Sequence, residues 1–344
     1  MRRIAIILFC VLLLGLVWAR STVMPDRTSG IVRLVSLNVE EVPAPGKDMQ
    51  ILAAWHLQSD DSHFGGYSSL ALLDNSRFLT LSDRGRQLHF SDPSTGPADA
   101  QMGYFAGGKD KDKFDLDAES LTRDPASGTI WIGYENSNSI LRVRRDGASA
   151  ARRPPEMQHW PDNSGPEAVA RVDDGRFIVL SETQGGLTGN GGEGLLFPDD
   201  PVSGDPPVRF TFRAPDGYRP TDMAQLPDGR VLILLRKVTL ALPPQFSSAL
   251  MLADPHAIKA NRAWQGEMVA RFESPALAEN YEGLAIAPAS PNGRKVTLWM
   301  ISDDNTAVFQ RTLLLKLRWT PPARDATKKP RTDAKKGAPA GGAP

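Results

Sequence analysis

Acidic side chains stand at matching places in five look-alike segments of this chain, and they are the residues best suited to chemistry. Each segment starts on a polar residue, runs through apolar residues to a turn, and returns through a second apolar run to a polar exit. The starting positions are Ser68, Glu119, Glu167, Asp222 and Glu282, and the exits are Asp83, Glu135, Glu182, Arg236 and Asp303. Acids repeated around one axis repel one another, so such a ring is costly unless cations neutralise it or some carboxyls keep their protons. Ligands that are all oxygen favour a hard cation, and Ca²⁺ is the natural one. The metal-ligand candidates are Glu119, Glu167, Asp222, Glu282, Asp83 and Glu135, which leaves Glu182 and Asp303 as candidate general bases. Ser68, Arg84 and Arg236 are the substrate-binding candidates. Arg236, the one cation among the ten positions, either pairs with a neighbouring acid or holds an anionic group. The competing reading is a wet channel mouth whose carboxylates are simply solvated.

Other chemistries find less support. The five histidines (His56, His63, His89, His159 and His256) are scattered and none falls at a ring position. The single cysteine, Cys10, lies in the N-terminal apolar run, which leaves the rest of the chain without a disulfide, a Cys-based zinc site or a thiol nucleophile. No G-x-S-x-G elbow occurs. The glycine-rich stretch at 184–194 lacks the Lys-Ser/Thr ending of a phosphate loop. The acidic run Asp110, Asp112, Asp115 and Asp117 carries Lys111 and Lys113, departs from the EF-hand pattern, and ranks below the ring.

The elements that must position the ring follow from the same repeat. The segments are YSSLALLDNSRFLTLSD (67–83), AESLTRDPASGTIWIGYE (118–135), PEAVARVDDGRFIVLSE (166–182), TDMAQLPDGRVLILLR (221–236) and YEGLAIAPASPNGRKVTLWMISD (281–303). Their turns contain Asp74-Asn75-Ser76, Ser127-Gly128, Asp174-Gly175, Asp228-Gly229 and Asn292-Gly293, which suit a hairpin needing positive φ. Second arms such as Phe177–Leu180 and Val231–Leu235 are too short for helices and read as strands buried on both faces. Successive segments start 48 to 60 residues apart, which leaves room for a second, more polar strand pair in each period. Candidates for that pair include Ser139–Arg144, Val208–Arg213, Ala249–Ala253 and Val269–Glu273. Four antiparallel strands per repeat predict an all-β protein, a β-propeller of five or six blades with acids at one channel mouth. Ile31–Val39 and Gln50–Leu57 either close the ring against Thr312–Trp319 or form a degenerate sixth blade.

One propeller domain is expected over residues 30–322. Before it, Arg2-Arg3, the apolar run Ile4–Val17, and Val17 and Ala19 ahead of Arg20 have the layout of a secretory signal peptide over 1–19, followed by a linker at 20–29. The run is short for a spanning helix, although an uncleaved anchor is the alternative. A periplasmic or secreted protein is expected. Residues 323–344 are rich in Lys, Pro, Ala and Gly and predict a disordered tail. The formal net charge is zero, but the basic residues concentrate in the leader and tail, leaving a mildly acidic body. That argues against nucleic-acid or anionic-membrane partners. A monomer acting on a small molecule is expected.

The same motifs carry a resemblance. GGYSSLALLDNSRFLTLSDRG (65–85), FDLDAESL (114–121), GPEAV (165–169), PTDMAQLPDGR (220–230), NYEGLAI (280–286) and the closing SDDN and QRTLLLKL (within 302–317) resemble the phytase-like, or "esterase-like activity of phytase", propeller proteins. The resemblance implies hydrolysis of a phosphate or carboxylic ester, assisted by Ca²⁺ as in calcium-dependent propeller phytases. Those phytases also use several Lys and Arg residues for phosphate, whereas this mouth offers Arg236 with Arg84 and Lys237 beside it. A non-catalytic binding propeller and a lactonase-like metal-dependent hydrolase are the other readings.

Overall fold

The computed structural model describes residues 27–324 apart from 75, 106–116, 163, 183–191, 216, 242–243 and 290–293, together with five residues of the N-terminal apolar run. The proposed cleavage point, most of the 20–29 linker, nearly all of the tail, Asp110–Asp115, most of the glycine-rich stretch and Asn292-Gly293 lie outside these residues. Among the described residues, no helix is long and apolar enough to cross a membrane.

In chain order, β1 (Arg33–Leu37) and β2 (Met49–Gln58) precede the five repeats. The first blade is β3 (Ala71–Leu72), β4 (Arg77–Leu81), β5 (Arg86–Ser91) and β6 (Ala100–Tyr104). The second is β7 (Ala118–Arg123), β8 (Ile130–Tyr134), β9 (Ser139–Val143) and β10 (Ser149–Arg152). The third is β11 (Pro166–Arg171), β12 (Phe177–Ser181), β13 (Glu193–Phe197) and β14 (Val208–Phe212). The fourth is β15 (Arg219–Gln225), β16 (Val231–Thr239), β17 (Gln245–Ala253) and β19 (Glu267–Phe272), while the intervening β18 (Ala263–Trp264) reaches back to pair in parallel with β14. The fifth begins with β20 (Asn280–Pro288), β21 (Val296–Asp303) and β22 (Thr312–Trp319).

Five antiparallel blades therefore make the propeller, and the N-terminal strands do not form a sixth. β2 pairs with β22, with Ala54 opposite Leu315, and β1 lies outside it, with Val35 opposite His56. The inner strands β3, β7, β11, β15 and β20 touch in a closed ring. Apolar side chains fill the layers between blades, because the second strand of each blade (β4, β8, β12, β16 and β21) is buried on both faces over most of its length. Leu232, Leu234 and Leu250 meet Leu284, Leu298 and Leu315 between the fourth and fifth blades. Ile178 and Leu180 meet Ile233 and Leu235 between the third and fourth. Each such side chain stabilises the fold by about 1.5–3 kcal/mol, so these layers hold the ring without any disulfide.

Asp-Gly turns lie at the end opposite the starts and exits. There Gly175 and Gly229 adopt φ of 90° and 86°, which a side chain would oppose. At the other end, four of the five inner strands share a second irregularity. The ladder with the returning strand skips one residue: Glu119, Glu167, Thr221 and Glu282. A bulge of this kind releases a residue from pairing and re-aims its side chain.

Candidate cation and acid–base site at the channel mouth

The bulges gather the site. Glu119 lies close enough to Glu167, Glu282, Glu135 and Asp117 to feel the charge of each. Glu167 in turn lies near Glu135, Glu182, Arg236 and Glu282. Asp83 and Asp303 complete the circle beside Glu282. Of the sequence-selected residues, Glu119, Glu167, Glu282, Asp83, Glu135, Glu182, Arg236 and Asp303 thus come together at one mouth.

Asp222 does not stand with them, which corrects the repeat alignment by one residue. The bulged position in the fourth blade is Thr221, and Asp222 rejoins the ladder opposite Leu234. Its side chain is 1% exposed and accepts hydrogen bonds from the Met223 amide at 2.7 Å and the Leu284 amide at 2.6 Å. Asp222 ties the fourth blade to the fifth, and burial holds its carboxyl well above the usual range. Ser68 occupies the matching start in the first blade, where its buried hydroxyl donates to the Ala118 carbonyl. Thr221 Oγ1 donates in the same way to the Tyr281 carbonyl at 3.1 Å. Where the start is not a glutamate, the side chain stitches one blade to the next.

The acids divide into two groups. On one side, Asp117, Glu119 and Glu135 can each offer a carboxylate oxygen within 4.8 Å of the others. Asp117 accepts a hydrogen bond from Asn136 Nδ2, and the Glu135 amide donates to the Asp117 carbonyl at 2.9 Å. Burial first, and then the charges of Glu167, Glu282, Glu135 and Asp117, push the Glu119 carboxyl well above its ordinary range. Burial and Asp117 push Glu135 up to about 7, against a hydrogen bond from the Glu167 carboxyl. Glu167, buried and facing Glu135 and Glu182, is also raised well above its ordinary range. On the other side, guanidinium groups answer the charge. Arg236 places Nη1 2.6 Å from Glu282 Oε1 and Nη2 2.9 Å from Glu182 Oε1, while Arg219 Nη1 lies 2.7 Å from the same Glu182 oxygen. Asn280 Nδ2 donates to Glu282 Oε1 at 2.8 Å. Burial opposes the charge on Arg236, but Glu282, Glu182 and Glu167 outweigh it and raise its pKa. Of its two readings, Arg236 takes the ion-pair role.

Asp303 closes the circle, with Oδ1 accepting from the Asn305 amide at 2.7 Å and its carboxyl raised by burial and by Glu282. Arg84 sits outside it, with Nη2 donating to Thr306 Oγ1 at 3.2 Å and Nε 3.8 Å from Asp83 Oδ1. Gly66, at φ 68°, lets Asp83 approach, since a Cβ there would collide with the Asp83 carboxylate. Asp117 and Arg219 are additions that ring-position reasoning passed over. Asp117 could have been found two residues before Glu119 in the FDLDAESL motif; Arg219 had no repeat signal.

The donor set fits a metal ion. Three carboxylates within reach of one another, all oxygen donors and two of them (Glu119 and Glu135) held above their ordinary range, match the chemistry a hard divalent cation favours. In addition, Asn280 Oδ1 beside Glu282 is buried without a hydrogen-bond partner.

Residues 62–306, most of the chain and all ten ring positions, match the family described as phytase-like, "esterase-like activity of phytase". The chain belongs to that family. No curated protein matches its sequence at a significant level. Solved structures with similar folds include virginiamycin B lyase from Staphylococcus aureus, at 10% identity and a TM-score of 0.41, covering 83% of this chain and 99% of that one. A thermostable family-43 glycoside hydrolase aligns at 11% identity and a TM-score of 0.42, over 79% of this chain and 98% of its own. Kuenenia stuttgartiensis hydrazine synthase aligns at 12% identity and a TM-score of 0.36 over 71% of this chain, which spans 59% of that one. Likenesses at this level carry no activity across. The family assignment and the mouth remain as the guides to chemistry.

Proposed function

We propose that this phytase-like propeller is an exported hydrolase of phosphate or carboxylic esters that works at the acidic mouth with the help of a bound Ca²⁺ ion. The observation that carries the reading is the three-carboxylate cluster of Asp117, Glu119 and Glu135, set by a strand bulge inside a ring of acids where burial and mutual repulsion hold Glu119 well above its ordinary range. These three residues would hold the ion, which would supply polarisation of the ester oxygen and activation of water. Glu182, its charge answered by Arg219 and Arg236, would accept a proton from the attacking water. Burial and the charge of Glu282 raise the Asp303 carboxyl, so Asp303 would serve better to protonate the leaving oxygen than as the second base. The apolar N-terminal run with its arginine start supports export, and N-terminal sequencing of the mature protein would reveal cleavage after Ala19.

The test is hydrolysis of p-nitrophenyl phosphate and p-nitrophenyl acetate, with Ca²⁺ and after chelation. Turnover should require Ca²⁺, and Glu119→Gln should lower kcat/KM by about a thousandfold, in keeping with several kcal/mol from the lost ion. Calcium-dependent thermal stabilisation without turnover of either ester would favour a non-catalytic binding propeller. Hydrolysis of lactones instead would favour the lactonase-like reading. A protein indifferent to Ca²⁺ in both turnover and melting would remove the cation from the mouth.

A further inference from the structure

A second cavity opens on the same end of the propeller, between the fourth and fifth blades, with a volume of about 730 Å³. It shares a wall with the acid ring. Side chains alternate along a strand, so neighbouring residues serve opposite faces. Arg219 and Arg236, opposite one another in the ladder, turn to the ring, whereas Tyr218 and Lys237 line the cavity. Likewise Glu279 faces the cavity and Asn280 the ring.

Its chemistry is the reverse of the ring's. Lys237 and Arg271 each lie 5.7 Å from the centroid of the Tyr218 ring, and Arg271 Nη1 reaches the Tyr218 hydroxyl at 3.4 Å. Among the described residues neither cation makes an ion pair. The third cation, Arg311, is matched by Glu279 at 2.6 Å, and Glu273 is the other acid in the lining. Two unmatched cations thus face one unmatched acid. Phe246 and Phe309 supply apolar walls. Phe309 is 56% exposed at the lip, with Val308 (52%) beside it in the same connection. Cations held against an aromatic ring behind an apolar lip match a molecule with an oxyanion on an apolar body.

We infer that this cavity is a binding subsite for an oxyanion carried on an apolar group, held by Lys237 and Arg271, beside the acidic mouth. Its role as the substrate-holding subsite rests on the hydrolase reading given above. It would supply, from a neighbouring cavity, the positive charge that the acid ring spends on its own glutamates.

Binding of phenyl phosphate, benzoate, inorganic phosphate and phenol to the full chain, measured calorimetrically with EDTA present, tests the inference without any need for turnover. At least one of phenyl phosphate and benzoate should bind more tightly than phenol, and the tighter of the two names the oxyanion. Lys237→Gln/Arg271→Gln should weaken that binding about tenfold or more, while Glu119→Gln should leave it intact. No binding by wild type, equal binding of phenol, affinity unchanged in the double variant, or affinity lost in Glu119→Gln would each overturn it. The outcomes separate from those of the hydrolase reading. Lysine- and arginine-dependent binding without turnover keeps the subsite and removes the hydrolase, and turnover with the double variant's binding unchanged does the opposite.

Discussion

The two ends of this propeller use the same side chain in opposite ways. At the turn end, aspartates cap backbone amides in water: Asp174 Oδ1 accepts from the Arg176 amide at 3.1 Å, and Asp124 Oδ1 from the Ala126 amide at 3.1 Å. Hydrogen bonds to the charged form lower both of their pKa values, led by the Arg176 side chain for Asp174 and the Ser127 hydroxyl for Asp124. At the mouth, bulges turn glutamates into a shared buried space, where desolvation and like charge push Glu119, Glu135 and Glu167 upward. A carboxylate is therefore a local structural device at one end and a store of unfavourable charge at the other. Only the second arrangement has something to gain from a cation.

The sharpest way to break this contrast is to remove one arginine from each end. Arg236→Met leaves Glu182 and Glu282 without that partner in a buried site and should cost about 3–5 kcal/mol in urea unfolding. Arg176→Met removes an exposed pair with Asp174, at 2.6 Å, and should cost less than about 1 kcal/mol. Equal losses would mean that the mouth is as well solvated as the turns.

Next in size is the dependence on pH. Raised carboxyls bind protons more tightly in the folded than in the unfolded chain. Their contribution is complete below about 4.5 and disappears as pH rises through the folded value, which for Glu135 is about 7. The chelated protein should melt lower at pH 8 than at pH 5, with Glu135 alone contributing on the order of 2 kcal/mol after allowance for solvent screening. Ca²⁺ should reverse that loss at pH 8. The turn aspartates act in the opposite sense: their contribution is present above about 3.8 and disappears as pH falls through their lowered values. A melting temperature that stays flat from pH 5 to 8 in EDTA would show that the mouth acids ionise freely.

The smallest effect belongs to Asp174→Asn. Its amide oxygen can still accept from Arg176, so stability should fall by less than about 1 kcal/mol and the response to Ca²⁺ should not change. A lost Ca²⁺ response here would place the cation at the wrong end.

Much of this was legible in the chain itself, because the hairpin repeats in local sequence. Val231–Leu235 and Phe177–Leu180 announced buried second strands, and the spacing from Glu119 to Glu135 and from Glu167 to Glu182 announced acids at a common end. Register was not legible. Whether Thr221 or Asp222 faces the channel depends on a one-residue bulge, and Pro220-Thr221-Asp222 gives no local sign of it. Nor could blade count be decided, since Met49–Gln58 reads equally as a closing strand or as part of another blade until its partner at Thr312–Trp319 is known. The cavity of Tyr218, Lys237, Arg271 and Arg311 was invisible for a related reason. Its members come from separate strands and loops and share no spacing, only the alternation that turns Lys237 away from Arg236.

The pairing of β2 with β22 has a temporal consequence. Met49–Gln58 emerges from the ribosome early, yet its hydrogen-bonding partner Thr312–Trp319 is among the last parts of the described fold to be made. The fifth blade stays open until Thr312–Trp319 has been made, and the fit of the inner-strand circle waits on that clasp. Contacts so distant in sequence form slowly. A ring of this design is closed only when strands separated by most of the described fold have found each other, so its closure depends on its most distant contact.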